Sequence, residues 1–327
     1  MSKFAFLMLL GVVGLASWLV FSRYEFRVDG WEDLGFVAVD KTVVPADPAK
    51  ENREDTIRIA SFNIQTFGPS KVGKPEVMEL LVRIIRQYDI VAIQEVRSKN
   101  QDVLQKLKDA LNATGRQYEL VNGPRVGRTK SKEQYIYVFD RTTIEVDRSA
   151  SYTVEDPDDL LHRPPFVAWF RVRGPPPDEA FTFKLVNVHT DPDEVSYEME
   201  ALDNVFFGVR RDGRGEDDVI MLGDFNADDS QFGPLGQTAG ITAAISGKKT
   251  NTRRTRQYDN VIFQLPASSE YTGRSGVFDF MRKYNLSLEQ ALVVTDHLPV
   301  WAEFSKRESG SMPSIASGSP TAAGFQR

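Results

Sequence analysis

Apolar runs of strand length, each closing on a polar residue, recur through the middle of this 327-residue chain and leave few folds open to it. The run Ile57-Arg-Ile-Ala-Ser-Phe-Asn-Ile64 reads as a strand, and Asp89-Ile-Val-Ala-Ile-Gln-Glu95 as a fully buried one. Between them Pro75 opens a helix with Val77, Leu80, Leu81, Ile84, Ile85 and Tyr88 on one face. A polar helix near Gln101 to Leu111 and strands at Tyr118 to Val121 and Tyr135 to Phe139 continue the order. In the second half, Phe166 to Val172 and Phe181 to Val188 pattern as a hairpin across Gly174-Pro-Pro-Pro-Asp178, and a helix starts near Glu194. Strands at Val219 to Gly223, Tyr258 to Phe263 and Pro299 to Phe304 complete the set. Helices mixed with strands in both halves predict an α/β fold of four layers, two mixed β-sheets packed face to face and flanked by helices.

The ends of the chain read differently. Phe4 to Phe21 is an apolar run without a charge, preceded by Lys3 and followed by Arg23. As a helix it would span roughly 27 Å, close to a hydrocarbon core of about 30 Å. Residues 1–24 are therefore expected to be a membrane anchor or a cleaved signal peptide, the small residues Gly14-Leu15-Ala16 offering a cleavage site. Either one places the rest of the chain outside the cytoplasm. Residues 25–55 read as a polar linker, 56–305 as the folded domain, and the Gly-, Ser- and Pro-rich residues 306–327 as a disordered tail.

Composition narrows the chemistry before any motif is considered. With no cysteine, the chain has no disulfide, thiolate metal site or cysteine nucleophile. Any metal must rest on oxygen and imidazole, and only His162, His189 and His297 supply the latter. Carboxylate ligation of that kind points to magnesium, calcium or manganese rather than to a multi-histidine zinc cluster. A formal charge of −6 gives no bulk attraction for nucleic acid, although a local basic face can still neutralise phosphates.

Five strand ends carry chemistry-bearing residues: Asn63, Glu95, His189, the pair Asp224 and Asn226, and Asp296 with His297. Singly, each is as readily a turn former, a surface carboxylate or a hydrogen-bonded core histidine. In this order they resemble the deoxyribonuclease I-like members of the endonuclease/exonuclease/phosphatase family, from about Ile57 to Phe304. The matching segments are Ser-Phe-Asn-Ile at 61–64, Gln-Glu-Val at 94–96, Gly127 to Tyr135, Val-Asn-Val-His at 186–189, Gly-Asp-Phe-Asn-Ala at 223–227, Tyr258-Asp259 and Asp296-His-Leu-Pro299. The histidine at 189 sets the chain apart from the abasic-site endonucleases of that family. The segment Gly127 to Tyr135 with Arg163-Pro-Pro-Phe166 is similar to deoxyribonuclease I rather than to sphingomyelinases or inositol phosphatases.

The resemblance implies a divalent-metal-dependent phosphodiesterase cutting DNA, with Mg2+, or else Ca2+ or Mn2+, held by Glu95, Asn63 and Asp296. It implies a proton-transfer pair, His189 oriented by Glu133 and His297 oriented by Asp259, since imidazole titrates near working pH. Asp224 and Asn226 would face the scissile phosphate, while Arg128 and Arg163 would contact backbone phosphates. Lys130, Lys132, Lys248, Lys249, Arg253, Arg254 and Arg256 would extend the basic surface. Three departures stand out: Ser131 at a minor-groove tyrosine position, Gln65 for an arginine, and Asp229 with Arg256 where relatives pair cysteines. The last suggests an ion pair in place of a disulfide. A monomer with no protein partner is expected. A rival reading is a phosphodiesterase or phosphatase acting on a membrane lipid head group, such as sphingomyelin or a phosphoinositide. A second rival is an inactive scaffold, disfavoured by the complete set of carboxylates and histidines.

Overall fold

The computed structural model describes residues 53–309, so the expected anchor or signal, nearly all of the linker and most of the tail lie outside the described residues. Among the described residues, twelve strands form two six-stranded sheets. The first runs, in spatial order, β11 (Tyr271–Val277), β12 (Val300–Ser305), β1 (Thr56–Phe67), β2 (Ile90–Val96), β4 (Glu133–Asp140) and β3 (Tyr118–Val126). The second runs β5 (Ile144–Thr153), β6 (Phe166–Val172), β7 (Thr182–His189), β8 (Val219–Asp224), β10 (Asp259–Gln264) and β9 (Ile241–Ala243). Both sheets are mixed in the same way. One central pair is parallel, β1 with β2 and β7 with β8, and the other pairings are antiparallel.

Alternation along each strand divides the core into layers. Ile57, Ile59, Ile90, Ala92, Phe170, Phe183, Leu185 and Leu222 fill the space between the sheets. The residues between them point outward. Ala60, Phe62, Val91 and Ile93 are covered by Val77, Leu81 and Ile84 of α2 (Pro75–Ile85) and Leu104 and Leu107 of α3 (Asp102–Asn112). On the other flank Val186, Val188 and Met221 meet Met199, Leu202 and Phe206 of α4 (Val195–Arg210). The result is the four-layered α/β sandwich. Among the described residues no helix is long and apolar enough to cross a membrane.

Several elements escape the sequence pattern. The edge strands β5, β9 and β11 were not expected, nor were α1 (Pro69–Val72), α5 (Gly233–Gln237), α6 (Phe280–Lys283) and α7 (Leu288–Val294). The domain also continues past residue 305. Lys306 Nζ donates to the carbonyls of Arg53 and Glu54 at 2.9 and 2.6 Å, Arg307 bridges to Ala180, and Glu308 accepts from the Thr182 amide at 2.8 Å. Lys306 to Ser309 thus belong to the fold rather than to the tail, because backbone pairing, the Glu308 bond to Thr182 and the buried Glu270 carboxylate hold them.

Candidate active site

Strand parity decides which polar side chains meet. In β1, Ile57 and Ile59 face the other sheet, so Ser61 and Asn63 do too. The same count turns Gln94 of β2, Glu133 of β4, Asn187 and His189 of β7, Asp224 of β8 and Asp259 of β10 into the gap between the sheets. Deep in that gap Gln94 Nε2 donates to Asn187 Oδ1 at 2.7 Å, and Asn187 Nδ2 donates to the carbonyls of Ile93 and Ile136 at 3.2 Å. This link ties one sheet to the other beneath the site.

Glu95 is the exception to parity. By alternation it would point away from the gap, but the β2 ladder slips between Ile93 and Val96, and Glu95 takes φ 61°. Such a bulge re-aims a side chain at the cost of backbone strain. Its Oε1 accepts from Asn63 Nδ2 at 3.2 Å and its Oε2 from the Thr66 amide at 2.9 Å. Asn63 Nδ2 also donates across the gap to Asp224 Oδ2 at 2.9 Å. Asn226, with φ 48°, follows Asp224, and its Nδ2 donates to the Thr190 carbonyl at 3.0 Å, leaving its second N–H uncommitted by that bond.

The two histidines form parallel arrangements. His189 Nδ1 meets Glu133 Oε2 at 2.8 Å and His297 Nδ1 meets Asp259 Oδ2 at 2.9 Å. Both Nε2 atoms stand 3.5 Å from the same oxygen, Asp224 Oδ2. Thr250 donates its hydroxyl to Asp259 Oδ2 at 2.7 Å, and Thr295 donates to the Asn63 carbonyl at 2.8 Å. Both dyads are buried, as are Asn63 and Asp224.

Electrostatics follow from that crowding. Burial works against a protonated His189, yet the bond and charge of Glu133, with Asp224 behind it, raise its pKa above the ordinary value. Burial likewise opposes protonation of His297, but Asp259, Asp224 and Asp296 push it up to about 10. The proton of the His297–Asp259 pair belongs on the imidazole. Burial alone would raise Glu133; its partners His189, Arg163 and Arg97 instead hold it down at about 2. Beside the site Lys71 bonds the carbonyls of Ile64 and Val294 at 2.7 and 2.6 Å, and burial lowers it to about 8 despite the charges of Asp296 and Glu95.

The donor set fits a hard divalent cation. Asp259 Oδ1 and Asp296 Oδ1 are buried oxygens without a hydrogen-bond partner. Ligand atoms of Asp224, Asp259 and His297 lie within 4.8 Å of one another, and the Asn63 amide donates to both Asp224 and Glu95, setting the Glu95 carboxylate beside them. The structure thus gathers Asn63, Glu95, Glu133, His189, Asp224, Asn226, Asp259, Asp296 and His297 at one end of the sandwich.

The two arginines expected to contact backbone phosphates also engage acceptors within the protein. Arg163 is buried; Nε donates to the His189 carbonyl at 2.9 Å, Nη2 to the Thr190 carbonyl at 2.8 Å, and Nη1 stands 3.3 Å from Glu133. It braces the strand end that carries His189. Arg128 bonds Asp159 and Glu194, its Nε 3.0 Å from Asp159 Oδ1 and its Nη1 2.7 Å from Glu194. Lys130, Lys132, Lys248, Lys249, Arg253, Arg254 and Arg256 are exposed, with Arg254 paired to Asp279 at 2.5 Å. Asp229 accepts from Ser246 at 2.5 Å, and among the described residues it makes no ion pair with Arg256. The expected substitute for a disulfide is therefore corrected: a local hydroxyl satisfies the carboxylate first. Sequence reasoning also missed Arg97, whose Nη2 bridges Glu95 at 3.1 Å and Glu133 at 3.3 Å. Its place two residues after Glu95 was the only signal.

This chain belongs to the endonuclease/exonuclease/phosphatase family, whose model matches residues 60–264. Among its relatives, it is 35% identical over 266 residues to deoxyribonuclease-1-like 1 of Cricetulus griseus, covering 77% of this chain and 85% of that one. It is 31% identical over 262 residues to deoxyribonuclease gamma of Homo sapiens, covering 75% and 84%. Similar solved structures include humanized D. rerio TDP2, with TM-score 0.54 at 13% identity over 76% of this chain and 98% of that one. The human Nocturnin catalytic domain with bound sulfate gives 0.51 at 15% identity, over 78% and 94%. At such identity the structural likeness is one of fold.

Proposed function

We propose that this protein is a divalent-metal-dependent endonuclease that hydrolyses DNA phosphodiester bonds. The observation that carries the reading is the pair of histidine–carboxylate dyads aimed at one carboxylate oxygen, both Nε2 atoms 3.5 Å from Asp224 Oδ2. Hydrolysis of a phosphodiester needs a base for water and an acid for the departing oxygen, and two oriented imidazoles on either side of one position supply both. Glu133 and Asp259 fix the tautomers, so that Nε2 is the atom that takes or gives the proton. Asp224 orients the water, and the free N–H of Asn226 donates to a non-bridging oxygen. Glu95, Asn63 and Asp296 would hold the cation, Mg2+ first with Ca2+ or Mn2+ as alternatives, which supplies Lewis-acid polarisation and charge neutralisation when bound.

The substrate reading rests on the deoxyribonuclease names of relatives 31 to 35% identical and on the exposed lysines and arginines of 130–132 and 248–256. The exposed large apolar side chains among the described residues are Tyr197, Leu265 and Leu288, on three different segments, which gives no apolar face for a lipid. Phe4 to Phe21 would take this monomer onto or across a membrane, so that it works outside the cytoplasm.

The test is nicking of supercoiled plasmid by the purified protein with Mg2+, Ca2+, Mn2+ or chelator, beside single-stranded DNA, RNA and sphingomyelin. Metal-dependent nicking that falls by orders of magnitude in Glu95→Gln supports the reading. Full activity in chelator, or hydrolysis of sphingomyelin in preference to DNA, overturns it.

A further inference from the structure

Beyond Asn63 the chain turns back on itself and carries a lysine to the strand end. Gln65 and Thr66 take φ 40° and 53°, β1 slips against β2 between Asn63 and Phe67, and the Thr66 amide and hydroxyl both donate to Glu95 Oε2, at 2.9 and 3.3 Å. Two such residues in succession cost backbone strain, and their bonds to an ionised oxygen offset it. The kink leads into α1, closed by the Val72 amide on the Gly68 carbonyl at 3.1 Å and the Gly73 amide on the Pro69 carbonyl at 2.9 Å. Lys71 of that turn is thereby set against β1.

Its ammonium spans two segments of the site. Nζ donates to the carbonyl of Ile64, next to Asn63, at 2.7 Å, and to that of Val294, two residues before Asp296, at 2.6 Å. A second bond joins the same segments, from the Thr295 hydroxyl to the Asn63 carbonyl at 2.8 Å. Together they hold Asn63 and Asp296 at one spacing. The lysine adds what the threonine lacks, a full positive charge. Among the described residues it forms no ion pair, and the two carbonyls take two of its three donors. The carboxylates whose charges act on it are Asp296 and Glu95, both assigned to the cation, and at about 8 it stays protonated at pH 7.

A positive charge fixed beside two metal-binding carboxylates has two opposed effects. It repels a dication arriving at the same carboxylates, and it stabilises the negative charge that builds on the phosphoryl oxygens during attack. A clamp without charge would do neither. Losing such a clamp would only let the two ligand segments drift apart, so metal binding would weaken, whereas losing the charge strengthens it. The sign of the change in metal affinity separates the two roles.

We propose that Lys71 is a resident monovalent cation of the active site, a positioning residue that holds Asn63 and Asp296 at one spacing while its charge weakens dication binding and favours turnover. The inference rests on the metal-dependent reading above. It gives this chain's own ammonium a share of the charge neutralisation otherwise left to the metal.

The test is Mn2+ binding to the full chain at pH 7 without DNA, read by the loss of the free-ion electron spin resonance signal. Glu95→Gln should weaken binding about tenfold or more. Lys71→Met should bind Mn2+ about three- to tenfold more tightly than the parent, and Lys71→Arg, which restores the charge, should return the affinity towards the parental value. Thr295→Val, which cuts the parallel bond without touching charge, should shift the affinity the other way. At saturating Mn2+ the kcat for plasmid nicking should fall about tenfold in Lys71→Met, with KM for DNA within about twofold. If Lys71→Met fails to fold, Lys71→Gln, which keeps an N–H donor for the carbonyls, decides the sign. Glu95-dependent Mn2+ binding that is unchanged or weaker in the folded neutral variant, or an unchanged kcat there, would overturn the inference and leave the metal reading standing. Mn2+ affinity indifferent to Glu95→Gln would overturn both.

Discussion

Replacing Glu133 with glutamine keeps the shape of the His189 dyad and removes its charge. The Glu133 carboxylate sits at about 2 against an ordinary 4.5, a difference that at 1.36 kcal/mol per pH unit amounts to roughly 3 kcal/mol. That is an upper figure, since one of the partners, Arg97, is 30% exposed and its share is screened. Because the folded-state pKa is depressed, this stability is present above pH 4.5 and is lost as pH falls towards 2. The variant has no such carboxylate to titrate, so its stability should fall less over that interval. Denaturant unfolding of both proteins in chelator, at pH 7, 4.5 and 3, gives the double difference. The wild-type advantage should shrink towards low pH, and the variant's nicking activity should drop about 100-fold or more, because Nδ1 of His189 loses the anion that orients it. Parallel stability curves down to pH 3 would refute the argument that Glu133 is held ionised by His189, Arg163 and Arg97.

His297, raised to about 10 from 6.5, should contribute stability that is fully present below pH 6.5 and disappears as pH climbs through 10. In chelator, the midpoint difference between wild type and His297→Asn should narrow over that range, and a constant difference would contradict it. Gly223→Ala should cost about 3 kcal/mol or more, since its Cβ would lie 2.0 Å from the Val188 carbonyl oxygen on the adjacent parallel strand; an unchanged denaturation midpoint would disprove the clash. Asn187→Ala should cost about 1 to 3 kcal/mol by stranding the Gln94 amide and two carbonyls, with less than additive loss when Gln94→Ala is added. Additive losses in that cycle would mean the cross-sheet bond is not made.

Period-2 alternation made the inner layers and half of the site legible: once Ile57 and Ile59 face inward, Asn63 must as well, and the same count places His189, Asp224 and Asp259. The helix Pro75–Ile85 was readable because its apolar face is wide and its start carries a proline. Edge strand β5, with sequence Ile-Glu-Val-Asp-Arg-Ser-Ala-Ser-Tyr-Thr, was not, because one side of it is wet and its polar residues mimic a loop. Glu95 needed its bulge, which no alternation rule announces. The partners of the arginines were hidden for a different reason. A guanidinium takes whichever acceptors the tertiary fold brings near, and the carbonyls of residues 189 and 190 that hold Arg163 lie 26 and 27 positions away.

Each dyad is assembled from both sheets, which explains why so much polar matter is buried beneath it. Glu133 opens β4 in the first sheet and its histidine ends β7 in the second; Asp259 opens β10 in the second and its histidine leads into β12 of the first. Asn63 reaches Asp224 across the same gap. The parallel strands deliver Asn63, Glu95, His189 and Asp224 at their carboxyl ends, and the antiparallel neighbours β4 and β10 deliver the orienting acids at their amino ends. Apolar packing between sheets is non-directional and would allow them to slide by fractions of an ångström. Hydrogen-bonded dyads lose strength over such displacements. The directional Gln94–Asn187 link, with Tyr137 donating to the Leu185 and Phe166 carbonyls at 2.8 and 2.7 Å, removes that freedom. The buried polar groups between the sheets therefore hold the register on which the spacing of the two imidazoles depends.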